Sequence, residues 1–169
     1  MNFVMLILRL THIFAGVFWV GATLAMYFYF GAGSATPVEA GQQATPQRMT
    51  RMRFSTVMTV AGILTVLAGY SMYWLDSDGF NSAWTHSGPG IGFAIGGAAG
   101  LLGLIFRILA NRNMMILSRL AAEIPGQATH EQTQKLISIQ RHQARLDRLN
   151  TWALIIAVLF MATARYFVF

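Results

Sequence analysis

FVMLILRLTHIFAGVFWVGATLAMYFYF, residues 3–30, is apolar along almost its whole length, yet it carries Arg9 and His12 one helical turn apart. A helix needs about 20 apolar residues to cross a hydrocarbon core, and this run exceeds that. Working outward, three further runs of the same kind lie at residues 54–75, 90–109 and 151–169. Only 11% of the chain is charged against 55% hydrophobic, where a soluble domain carries about 25% charged residues. The pattern predicts an all-α membrane protein, a four-transmembrane-helix bundle forming one domain over residues 1–169. The first run has no basic segment ahead of it and no small-residue cleavage site behind it, so it reads as a retained span rather than a signal peptide.

The net charge of +6 does not form a nucleic-acid patch, because the basic residues sort by loop. Arg48, Arg51 and Arg53 lie between the first two spans. Arg112, Arg119, Lys135, Arg141, Arg145 and Arg148 lie between the last two, and the middle connection carries Asp76 and Asp78 instead. By the bias of basic loops toward the cytoplasm, both termini are expected outside and the protein in a bacterial-type inner (cytoplasmic) membrane.

Punctuation along the chain gives the rest of the architecture. Pro37 and Pro46 mark an irregular loop after the first span. Trp74 and Trp84 flank a turn-rich outer connection, where interfacial aromatics are expected. Pro89 suits the first turn of the third helix. No breaker follows until Pro125-Gly126, and Thr129 with Gln132 then fits a capping box. Leu136, Ile139, Gln143 and Leu146 recur on one side of the next helix. Residues 110–150 therefore predict a cytoplasmic helical-hairpin extension of helices 3 and 4. Its charged face is a solvated surface or a dock for other membrane subunits or a redox partner.

Chemistry concentrates in the outer half. Arg9, His12, Gly16, Trp19 and Thr23 recur at intervals of three and four and share one helical face. An ionisable residue inside a span normally faces a bundle interior, where it has a partner or a ligand; for a histidine the plain alternative is interhelical hydrogen bonding. His86 precedes the third span on the same side as His12, whereas His130 and His142 belong to the extension. Gly88, Gly92, Gly96 and Gly100 follow every fourth position, which serves close helix packing or clears room for a flat macrocycle. Arg165 emerges at the outer level, as Arg9 does. Two histidines beside two arginines suit a haem b, with imidazole on iron and guanidinium on the carboxylates. Copper is the alternative ion, with Met5, Met26 and Met72 as thioethers. The candidate metal ligands are thus His12 and His86, and the candidate cofactor contacts are Arg9, Gly16, Trp19, Gly92, Gly96 and Arg165. No cysteine is present for thiolate ligation or covalent haem attachment.

His12, Trp19 and Gly21, in the pattern H-x6-W-x-G, resemble the first span of a broad group of small membrane proteins. The group includes copper-resistance D-type proteins, the membrane domain of urate-oxidase-type proteins and the bacterial membrane haem-containing protoporphyrinogen oxidase. RMRFSTVMTVAGILTVLAG in the second span is similar to that group's pattern, and WTH, residues 84–86, resembles its W-x-H. The resemblance implies a four-helix unit with a b-type haem, His12 being an axial ligand. Ser87-Gly88-Pro89-Gly90 departs from it, standing where the protoporphyrinogen oxidases place a lysine. The expected function is an electron-transfer cytochrome or a subunit of a redox complex. The alternatives are a protoporphyrinogen-oxidase-like enzyme, a copper-handling protein and a structural subunit without cofactor.

Overall fold

The computed structural model describes residues 3–29, 45–124 and 129–167. The helices are α1 (Phe3–Tyr29), α2 (Thr45–Asp76), the short α3 (Ser82–Thr85), α4 (Gly88–Ala122) and α5 (His130–Thr163), followed by a 3-10 turn (Ala164–Tyr166). No strand occurs among the described residues. Four of these helices are long and apolar enough to cross a membrane. The loop expected around Pro37 lies outside the described residues, as does Pro125-Gly126. Helix α2 starts earlier than the apolar run alone indicates, with Pro46 in its first turn, where proline's missing N–H costs nothing.

The helix ends follow their local chemistry. Ser87 caps α4 by accepting from the Gly90 backbone N–H at 3.2 Å, with proline in the first turn. Thr129 and Gln132 cap α5 reciprocally. Gln132 N donates to Thr129 Oγ1 at 3.3 Å, and Thr129 N donates to Gln132 Oε1 at 2.9 Å. Between α2 and α3 the chain reverses through Asp78, Gly79 and Phe80, all at positive φ. Tyr73 and Trp84 close this end, their ring centroids 5.1 Å apart.

Packing closes a ring: α1 lies on α2, α2 on α4, α4 on α5, and α5 returns to α1. Each of the four long helices sends a side chain into one buried cluster of Trp19, Met58, Ala61, Leu104 and Leu154. The outside is as apolar as the inside. Phe14 is 73% exposed and Val17 70%, and only 6% of the most apolar window of α1 is buried. Water would not tolerate such a surface on a monomer; a bilayer does, which makes this a multi-pass membrane protein.

Glycine makes the close contacts. A Cβ at Gly92 would lie 2.8 Å from Ala164 Cβ, and one at Gly96 would lie 3.1 Å from Met161 Cγ. Gly88 meets the Phe167 backbone, and a Cβ at Gly103 would sit 3.1 Å from Leu154. The stripe on α4 thus beds α5 and the turn after it, the small-xxx-small packing that lets membrane helices approach. Leu136 and Leu146, predicted on the inner side of α5, are buried.

Candidate haem ligand on the α1–α2 face

Helix α1 meets α2 in antiparallel register through flat side chains seated on glycines. Gly62 lies under the Trp19 indole, where a Cβ would be 3.0 Å from Cε2. Gly69 lies under His12, where it would be 2.9 Å from Cε1. Seven residues separate His12 from Trp19, and seven separate Gly62 from Gly69, so two turns of one helix fit two turns of the other. Between them, a Cβ on Gly16 would stand 3.3 Å from Thr65 Cγ2.

This fit fixes the imidazole. His12 Nδ1 lies 2.8 Å from the Thr65 carbonyl oxygen. A carbonyl only accepts, so Nδ1 carries the proton and donates, and in the neutral ring Nε2 keeps its lone pair. No hydrogen bond to Nε2 occurs among the described residues, and the side chain is half-buried rather than sealed in. An N–H held by a backbone carbonyl is the arrangement that orients metal-ligating histidines and sets their tautomer.

The other predicted residues are distributed more widely. Arg9 is exposed one turn before His12, Gly16 is half-buried, and Trp19 is 1% exposed with its Nε1 unbonded. His86 is exposed, in the segment that leads from α3 into α4, whereas His12 sits about two turns short of the end of α2. Gly92 and Gly96, candidates for clearing room for a macrocycle, are buried against α5 and the turn after it, where Met161 and Ala164 fill that space. Arg165 is exposed on the terminal turn. Met26, one of the copper candidates, is also exposed. Among the described residues no group of three or more His, Cys, Asp or Glu side chains gathers for a metal ion. Gly21, the last residue of H-x6-W-x-G, has nothing within 4 Å of the position its Cβ would take.

A second polar group escaped the sequence reading. Arg107, inside the third apolar run, donates from Nη2 to Ser55 Oγ at 2.6 Å, and Ser55 Oγ donates to Asn111 Oδ1 at 2.8 Å. Asp147 on α5 acts electrostatically on Arg107 and accepts from Gln143 Nε2 at 3.2 Å. The signal was available: an arginine within a span, with asparagine one turn on. Comparison with protein-family models, with curated proteins and with solved structures finds no match for this chain.

Proposed function

We propose that this protein binds one b-type haem through Nε2 of His12 and passes electrons as a small membrane cytochrome or as a subunit of a redox complex. The observation that carries the reading is the bond from His12 Nδ1 to the Thr65 carbonyl at 2.8 Å, which leaves a bare, fixed nitrogen on a half-buried ring. The fit rests on His12, seated on Gly69; Gly16 lies against Thr65, and Gly92 and Gly96 against Ala164 and Met161, so those three serve packing. Arg9 and Arg165, both exposed, are the cations for the haem carboxylates. Bound haem supplies one-electron chemistry at a potential set by the axial ligands and the surrounding polarity. In this reading both termini face outward from a bacterial-type cytoplasmic membrane, and the distal parts of α4 and α5 project into the cytoplasm as a hairpin.

An absorption spectrum of the purified protein tests the proposal. A Soret band with sharp reduced α and β bands is expected, abolished in His12→Ala and retained in His130→Ala. The bond to Thr65 also ties α1 to α2, which favours a cofactor-free structural subunit as the second reading; a colourless preparation from haem-replete cells selects it.

Gly69→Ala gives a finer check. The new methyl would crowd Cε1 and Nδ1 of His12, at 2.9 and 3.0 Å, and push the ring off the Thr65 carbonyl. The haem-to-protein ratio is expected to fall severalfold while the helical circular dichroism stays unchanged.

A further inference from the structure

Three helices bury polar atoms that have no hydrogen-bond partner among the described residues: Thr23 Oγ1 on α1, Arg107 Nε on α4 and Asn150 Oδ1 on α5. Thr23 is 8% exposed and Asn150 2%. Their positions form a layer. Trp19, Met58, Leu104 and Leu154 belong to the apolar cluster, and Thr23, Ser55, Arg107 and Asn150 each lie three or four residues from one of them. On all four helices the step runs toward the end where α4 turns into α5. Asn150 Oδ1 lies 3.4 Å from where a Cβ on Gly103 would stand, one turn from Arg107. The Arg107 bond to Ser55 joins α2 to the same layer.

The unmet groups define the ligand. Arg107 Nε–H is a donor, the Asn150 amide oxygen an acceptor, and the Thr23 hydroxyl either. An anion would satisfy the first and be repelled by the second. Water satisfies all three, and buried water typically makes about three hydrogen bonds to such groups. Polar side chains continue from this layer toward the α4–α5 turn. Asn111, Asp147 and Gln143 are half-buried, and Gln143 Oε1 is another buried acceptor without a partner. We propose that the layer binds water and forms the inner end of a hydrated vestibule that opens toward the end of the bundle where α4 finishes and α5 begins, with the apolar cluster of Trp19, Met58, Leu104 and Leu154 as its floor. The proposal stands whether or not His12 holds iron.

Met58 reports the water directly, because at 2% exposure it has no access to bulk solvent. In hydroxyl-radical footprinting of the full chain in proteoliposomes, Met58 is expected to be oxidised, and Thr23→Val, which removes one of the water's partners without changing side-chain shape, is expected to slow that oxidation at least threefold. An unoxidised Met58, or equal oxidation in the variant, overturns the water site. The route of entry is read from single cysteines, since the chain has none of its own. Ser55→Cys is expected to react with a small cationic methanethiosulfonate at least tenfold faster from the side of the α4–α5 turn than from the other side. Equal rates from the two sides overturn the vestibule.

Discussion

Replacing Gly92 by leucine is expected to lower the stability of the bundle by about 3 kcal/mol, at the upper end for overpacked interiors. The atoms in the way are Ala164 Cβ at 2.8 Å and Ala164 Cα at 2.9 Å from the new Cβ position. Backbone has no rotamer with which to yield, so α4 and the end of α5 must separate. Gly21→Leu is the matched control: nothing lies within 4 Å of its Cβ position, and the change is expected to stay within about 0.5 kcal/mol. Reversible unfolding of both variants in mixed micelles, followed by tryptophan fluorescence, measures the difference.

Arg107→Leu carries the second large effect. The substitution takes away a cation from near Asp147 and the donor at 2.6 Å from Ser55. Both side chains are half-buried, and losing the attraction between them together with the bond to Ser55 is expected to cost about 2 kcal/mol. Arg107→Leu with Asp147→Leu removes both charges, and the double variant is expected to lose less than the sum of the two single variants. A double-mutant cycle on the same unfolding assay gives the coupling. Additive losses would mean that the two side chains act independently.

The number of long apolar helices and the α5 cap were legible from composition and uninterrupted apolarity, and from Thr129 with Gln132. These signals are local, and local signals survive without a partner helix in view. What could not be read was which helix each face meets. Gly92 and Gly96 carry the same spacing whether they face a macrocycle or α5, and the choice is made by Ala164 and Met161, far along the chain. Gly62 and Gly69 lay within a recognised pattern, yet their fit beneath Trp19 and His12 needs the antiparallel register of α1 on α2. Arg107 was overlooked for a different reason. It stands near the end of its apolar run, where an arginine ordinarily reaches back to the interface, and only the bond to Ser55 on another helix turns it inward.

In the function proposed above, Nε2 of His12 is an iron ligand. Pulsed electron paramagnetic resonance of the ferric protein, grown with ¹⁵N-labelled histidine, measures the nitrogen bound to the metal. An axial imidazole coupling is expected in the wild type and in His130→Ala, and its loss in His12→Ala. A coupling that persists unchanged in His12→Ala, or a purified protein without iron, would contradict it.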